Sequence, residues 1–167
     1  MGNHSDIAKG LFERGYNCAQ SVFAAFCDVT GMDMDAALRL SSSFGGGMGR
    51  LREVCGAVTA MFMITGTLYG YADPTDKSVK AEHYRLIQSL ANKFKEINSS
   101  FICRELLGLG EGADSPIPQE RTKEYYQSRP CADLVAQAAE MLDELISQKG
   151  EVNRDENCGA KHDGEST

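Results

Sequence analysis

The chain contains no tryptophan, only four prolines and only three histidines among its 167 residues. No apolar run approaches the roughly 18 to 20 residues of a membrane-spanning helix, so we expect no membrane association. Basic residues are the minority, with 17 lysines and arginines against 24 acidic residues and a net charge of -7. Because nucleic acid would repel such a chain overall, we predict no nucleic-acid partner.

Cysteine pairs of the CxxC type are also missing. The six cysteines stand at positions 18, 27, 55, 103, 131 and 158. Without CxxC or CxxCH, the chain has no c-type haem attachment site, no thioredoxin-type dithiol and no zinc ribbon built on paired knuckles. No basic segment followed by an apolar core opens the sequence, so it does not resemble a secretory signal and we expect a cytoplasmic protein. In that reducing setting, cysteines are more often catalytic, redox-active or metal-bound than paired in structural disulfides.

Hydrophobic residues make up 42% of the chain and charged residues 25%, which is ordinary globular composition. A chain of this length buries roughly 70% of its unfolded surface as one domain. No stretch alternates with period two between turn residues, so a sheet has little support. We predict an all-α fold, a compact single-domain bundle of about six or seven helices over residues 1–149, followed by a polar, flexible tail over 150–167.

Capping residues and glycines set the predicted helix boundaries. The predicted helices run from the Ser5 cap through Arg14, from Cys18 to about Thr30 after the Asn17 cap, and from the Asp33 cap to about Ser43. They continue from about 54 to 70, from the Asp73 cap to about Ile97, from the restart at 98–100 to Gly108, and from Ser128 to about Lys149. The segment 54–70 is apolar on nearly every side, which predicts a central, buried helix. Residues 108–118 are predicted to form a loop.

Four cysteines share one position in these predicted helices: the first turn. They are Cys18, Cys55, Cys103 and Cys131. A helix N-terminus carries about half a positive charge and free amides, so it favours the thiolate, which is both the nucleophile and the metal ligand. Four such termini supply roughly two positive charges, about enough to offset a two-iron, two-sulfur cluster held by four thiolates. The competing interpretation is that these cysteines are small hydrophobes of a helical core.

Other candidate residues favour structural interpretations. Cys27 faces away from Cys18, and Cys158 lies in the predicted tail, so we expect neither in the site. The glycine-rich run 44–49 lacks the lysine and hydroxyl of a phosphate-binding loop, which favours a helix stop that passes close to Cys55, with backbone amides available to a sulfur cluster as the alternative. His83 lies on an apolar stripe, which is typical of a hydrogen-bonded core histidine.

Five short motifs occur in order along the chain. They are Asn17-Cys18-Ala19-Gln20, Phe44-Gly45-Gly46-Gly47-Met48, Cys55-Gly56-Ala57-Val58-Thr59-Ala60, Cys103-Arg104-Glu105-Leu106-Leu107-Gly108 and Cys131-Ala132-Asp133-Leu134-Val135. Together they resemble the redox-active family named C_GCAxxG_C_C after its cysteine pattern, over roughly residues 6–147. That family is mostly bacterial or archaeal, helical, and related to split-Soret cytochromes c, whose equivalent region resembles an iron–sulfur domain. Ala60 departs from the pattern, since a glycine is usual there.

The resemblance maps the family's four signature cysteines onto one redox site. These candidate cofactor and metal ligands are Cys18, Cys55, Cys103 and Cys131. The favoured function is electron transfer through an iron–sulfur cluster, with two irons and two sulfides expected, to a redox partner protein of unknown identity. Zinc is less favoured because structural zinc sites usually draw ligands as close pairs, and no haem is expected.

Two alternatives use the same residues differently. In a metal-free thiol–disulfide oxidoreductase the four cysteines would be catalytic, with one thiolate attacking a substrate and a second cysteine resolving the product. In a helical interaction module they would only pack. The sequence leaves the oligomeric state open, with a homodimer as one option, and names no substrate.

Overall fold

The computed structural model describes residues 3–150, and within that range it contains nine α-helices, one irregular helical turn (Gly45–Met48) and no β-strand. The predicted all-α class is therefore confirmed. The helices are α1 (His4–Glu13), α2 (Cys18–Ala25), α3 (Cys27–Thr30), α4 (Met34–Ser41), α5 (Gly56–Tyr69), α6 (Lys77–Asn98), α7 (Cys103–Leu106), α8 (Lys123–Ser128) and α9 (Cys131–Lys149). A 3-10 turn (Ser42–Phe44) follows α4. Apart from Gly150, the tail predicted from the sequence lies outside the described residues.

Side-chain caps determine two of the helix starts as the sequence predicts. The Asn17 side chain accepts a hydrogen bond from the Gln20 amide at 2.9 Å, and Gln20 Oε1 accepts one from the Asn17 amide at 3.2 Å. This reciprocal capping box opens α2. Asp33 caps α4 by accepting from the Ala36 amide at 3.1 Å. The box therefore makes Cys18 the first residue of α2.

Two other predicted caps are wrong by a few residues. Asn3, rather than Ser5, caps α1, and the Ser5 hydroxyl instead donates to Glu140 at 3.1 Å. Asp76, rather than Asp73, caps α6. The Asp73 carboxylate accepts from the Thr75 amide at 2.8 Å in the preceding turn, so it is used before the helix begins.

Two further differences raise the helix count above the predicted six or seven. The helix predicted from Cys18 to about Thr30 is broken at Phe26, whose ring is fully buried and stacks on His4 at 4.2 Å. The Phe26 backbone leaves the helical region there, at φ -103° and ψ 21°. The segment before the last helix forms the unpredicted helix α8, so Ser128 ends a helix and does not open one.

The core lies around α5, which packs against α2, α6 and α9. Its fully buried residues include Val58, Met61 and Ile64, so the predicted central helix is confirmed. Helix α2 shares this interior, since six of its eight residues are buried. Helix α1 packs against α2 and α9 and closes the bundle. No helix in the range 3–150 is long and apolar enough to cross a membrane.

Helix α6 uses only part of its predicted apolar stripe. Leu90 and Phe94 are buried, whereas Val79 and Ile97 are 44% and 56% exposed. His83 is half-buried, and its Nδ1 has no hydrogen-bond partner among the described residues, so the hydrogen-bonded core histidine expected from the sequence is not found. The docking of α6 therefore depends on its C-terminal half and not on its full length.

Substituting Phe94 tests this attachment. We expect Phe94→Ala to lower the free energy of unfolding by about 3–5 kcal/mol, because a fully buried ring is removed. Ile97→Ala, one turn further along the same helix but exposed, should change it by about 0.5 kcal/mol or less. Urea denaturation followed by circular dichroism measures both. Equal losses would contradict the assigned packing.

Candidate functional site

One cavity of about 200 Å³ is lined by all four predicted site cysteines. They are Cys18, Cys55, Cys103 and Cys131, and each is a free thiol. Cys27, at the start of α3, does not line this cavity, and Cys158 lies outside the described residues. The structure therefore brings the four signature cysteines to one place, while their chemical role stays a prediction.

Helix starts position these thiols. Cys18, Cys103 and Cys131 are the first residues of α2, α7 and α9. Cys55 stands one residue earlier, at the N-cap of α5, and not in the first turn as the sequence suggested. The helix α7 has only four residues, so its N-terminus contributes less positive potential than those of longer helices. The predicted common placement is thus close to right, but its electrostatic strength differs among the four.

The glycine-rich run lets the backbone pass against the site. Gly46 and Gly47 have φ values of +67° and +69°, in the left-handed region that favours glycine. A Cβ on Gly47 would lie 2.6 Å from the Cβ of Cys103. A Cβ on Gly45 would lie 2.3 Å from the side chain of Asn17. The run is therefore a close-approach turn, as the helix-stop interpretation implies. Gly47 lies against Cys103, and the Phe44 carbonyl oxygen would lie 2.8 Å from a Cβ on Gly56, the residue after Cys55.

Replacing Gly47 tests that close approach. We expect Gly47→Ala to lower the free energy of unfolding by at least about 2 kcal/mol, because alanine is strained at positive φ and its methyl overlaps Cys103. The control is Gly10→Ala in α1, where a Cβ meets nothing within 4 Å and about 0.5–1 kcal/mol of stabilisation is expected. Urea denaturation of the two variants should give opposite signs. A neutral Gly47→Ala would argue against this geometry.

Arginines form much of the remaining cavity wall, and no carboxylate lines it among the described residues. The four are Arg50, Arg52, Arg121 and Arg129. Arg52 is almost fully buried and donates to the Cys103 Sγ at 3.6 Å and to Asp114 at 2.8 Å. Arg50 donates to the same carboxylate at 3.0 Å. Hydrogen bonding from Arg52 lowers the pKa of Asp114, which stays ionised and holds the loop after α7 against the cavity wall.

Arg121 and Arg129 lie on the segment around α8 and share one aromatic ring. Their guanidinium carbons are 4.8 Å and 4.7 Å from the Tyr125 ring centre, and that of Arg121 is also 4.6 Å from the Phe12 ring centre. Arg121 Nη2 donates to the Tyr16 carbonyl at 3.4 Å. Its Nη1 is buried and finds no hydrogen-bond partner within residues 3–150. The sequence reasoning missed these arginines because no local motif marks them.

A sequence model of the family described as "Putative redox-active protein (C_GCAxxG_C_C)" matches residues 16–145. The chain belongs to this family. The matched range contains every residue that lines the cysteine cavity. No curated protein and no solved structure matches the chain. Membership of the C_GCAxxG_C_C family makes this a redox-active type of protein and leaves the cofactor open.

Two C_GCAxxG_C_C cysteines, Cys18 and Cys131, shift each other's pKa in opposite directions. Their side-chain hydrogen bond raises the pKa of Cys18 well above its ordinary value and lowers the pKa of Cys131 to about 7. Positive charge on Arg129 and Arg121 lowers the pKa of Cys131 further, against the opposing effect of burial. The two thiols titrate as a pair. Since Cys131 has the lower pKa, we expect Cys131 to lose its proton first and Cys18 to keep its own.

The other two C_GCAxxG_C_C thiols are held neutral by burial. Burial raises the pKa of Cys55 to about 12, although the amides of Ala57 and Val58 oppose it. Burial also raises the pKa of Cys103, and the hydrogen bond from Arg52 offsets only part of that rise. The sequence suggested that helix starts favour the thiolate at all four cysteines. The structure does not support this for Cys55 and Cys103. Only Cys131 is close to ionisation at neutral pH in the ligand-free cavity.

Alkylation of metal-free, reduced protein tests this ranking. We expect Cys131 to react with iodoacetamide faster than Cys55, with a rate that rises with pH through about 7, because the thiolate is the nucleophile. Cys18→Ala should move this rise to higher pH, since the hydrogen bond that stabilises the Cys131 thiolate is lost. Mass spectrometry of digested samples gives site-resolved rates. Faster labelling of Cys55 would contradict the ranking.

Proposed function

We propose that the four signature cysteines ligate an iron–sulfur cluster and that the protein transfers electrons to a redox partner protein. The main support is that four thiols from four separate helix starts line one cavity whose wall contains arginines and no carboxylate among the described residues. Thiolates are the protein ligands that iron–sulfur clusters require. Such a cluster would supply a one-electron carrier to the site.

The described residues contain no preformed site for a single metal ion. No three histidine, cysteine, aspartate or glutamate side chains within residues 3–150 are grouped so that they could hold a metal ion. A zinc ion bound at about 2.3 Å needs its sulfurs roughly 3.8 Å apart. In a two-iron cluster the two cysteine sulfurs on each iron have a similar separation, and sulfurs on different irons lie further apart. We favour a cluster over zinc because structural zinc sites usually draw their ligands as close pairs, whereas here each thiol comes from a different helix start.

Charge in the cavity wall also suits four thiolates. A two-iron cluster with four cysteine thiolates carries a net charge near minus two, which a purely apolar cavity would not stabilise. Arg52 already donates to the Cys103 sulfur, and Arg121 and Arg129 lie close enough to lower the pKa of Cys131. Apolar lining from Leu106, Leu107 and Leu134 would limit access of water.

The opposite pKa shifts of Cys18 and Cys131 support a second candidate, a metal-free thiol–disulfide oxidoreductase. The Cys131 thiolate would attack a substrate disulfide, forming a mixed disulfide and releasing one substrate thiolate. Cys18, after losing its proton, would then attack the Cys131 sulfur and release the second substrate thiolate. The protein would end with a Cys18–Cys131 disulfide, and the substrate would gain two electrons. This chemistry would use only two of the four signature cysteines.

Protein purified without oxygen separates the two functions. We expect bound iron, acid-labile sulfide and visible charge-transfer absorption, all lost in Cys55→Ala and in Cys131→Ala, because each variant removes a ligand. Far-ultraviolet helicity should be nearly unchanged, since alanine favours helices. Cys27→Ala is the matched control and should retain iron, because Cys27 does not line the cavity.

Colourless wild-type protein with a reversible Cys18–Cys131 dithiol titration would support the oxidoreductase instead. Loss of iron in Cys27→Ala as severe as in Cys55→Ala would contradict the assignment of the site to the four signature cysteines.

A further inference from the structure

We propose that Arg121 and Arg129 are positioning residues that raise the reduction potential of the cysteine site. The inference rests on the proposed redox function of the cavity, but it does not depend on whether the centre is a cluster or a dithiol. Nothing in the family pattern points to these residues, since both lie between the third and fourth signature cysteines and outside every motif.

The charges of Arg121 and Arg129 are not neutralised by the described protein. Arg50 and Arg52 share the carboxylate of Asp114. Within residues 3–150, by contrast, neither Arg121 nor Arg129 has an acidic partner within 4 Å. The nearby acidic residues in the chain, Glu120 and Glu124, are exposed and make no ion pair with them. Two arginines of the cavity wall therefore keep their full charge.

Aromatic packing holds these two guanidinium groups in place without removing their charge. Both lie against Tyr125, and Arg121 also lies against Phe12 and within 5.8 Å of the Tyr126 ring centre. Cation–π contacts stabilise a guanidinium group, but they transfer no negative charge to it. The buried Nη1 of Arg121 still has no hydrogen-bond acceptor in the described chain. Such a group is costly to bury unless the site provides an anion.

The cavity sulfurs are the groups that can provide this anion. Among the lining residues, the four cysteines are the ones whose side chains carry negative charge when they bind a cofactor as thiolates or are reduced from a disulfide to thiolates. Reduction of a cluster adds one electron to this set. Reduction of a disulfide adds one negative charge for each sulfur that stays a thiolate. In both cases the reduced state has more negative charge next to Arg121 and Arg129, so their positive charge stabilises it.

The unpredicted helix α8 brings Arg121 and Arg129 to the same aromatic ring. Its first turn follows the Thr122 cap, which accepts from the Tyr125 amide at 3.2 Å. That turn places Tyr125 where Arg121, just before the helix, and Arg129, just after it, both reach the same ring. One short helix therefore places Arg121 and Arg129, which have no acidic partner among the described residues, in the wall of the cavity.

A redox titration at pH 7 tests the proposal on the full chain. Arg121→Met and Arg129→Met should each shift the midpoint potential of the site to more negative values, because each removes one unpaired positive charge. Arg121→Lys should stay close to wild type, since it keeps the charge but loses the planar stacking. The control is Arg85→Met on α6, an exposed arginine that does not line the cavity and should leave the potential unchanged.

The readout follows whichever centre the wild-type protein contains. A cluster is titrated by its visible absorption, and a dithiol by labelling after equilibration in thiol–disulfide buffers. Iron in the wild type with unchanged potentials in both methionine variants would overturn this inference and leave the proposed function standing. Absence of iron in the wild type, together with a lowered dithiol potential in the methionine variants, would overturn the proposed cluster function and support this inference.

The Arg121→Lys variant distinguishes an effect of charge from an effect of packing. Equal shifts in Arg121→Lys and Arg121→Met would show that packing and not charge matters, and would overturn the inference. If Arg121→Met does not fold, Arg129→Met decides, because Arg129 packs on Tyr125 alone among the described rings.

Discussion

Arg52 is the buried charge around which the site is organised. Its side chain is only 4% exposed, so its guanidinium needs anionic or polar partners inside the protein. It finds them in Asp114, from the loop after α7, and in the sulfur of Cys103. The Arg52 carbonyl also accepts from the Arg104 amide at 3.2 Å. Arg52 thus connects the glycine-rich turn, the start of α7 and the loop after α7.

Burial and charge act in opposite directions on the four thiols. Burial raises the pKa of Cys55 and Cys103 and keeps them neutral in the ligand-free cavity. A bound metal removes thiol protons because it replaces them as the positive partner of sulfur. Metal binding to these thiols would therefore release protons. Cys131 has the lowest pKa of the four and would lose its proton first.

Sequence reasoning succeeded where the determinants are local. The Asn17 cap, the apolar circumference of α5 and the helix-start position of the cysteines depend on residues within a few positions of one another. It failed where distant contacts decide. The Arg121 hydrogen bond to Tyr16 joins residues 105 positions apart, and no periodicity reports it. The break at Phe26 likewise coincides with a contact to His4, 22 positions earlier in the chain, and with no helix-breaking residue.

The two glycine positions of the CGAxxG motif differ in what the structure demands of them. At Gly56 a Cβ would lie 2.8 Å from the Phe44 carbonyl oxygen and 3.3 Å from the Cβ of Cys18, so the absence of a side chain allows α5 to approach the glycine-rich turn and the start of α2. At the second position the chain carries Ala60, which is fully buried but does not line the cavity. Its methyl group packs in the core, away from the thiols. The departure from the motif therefore lies in the helical core and not in the lining of the cysteine cavity.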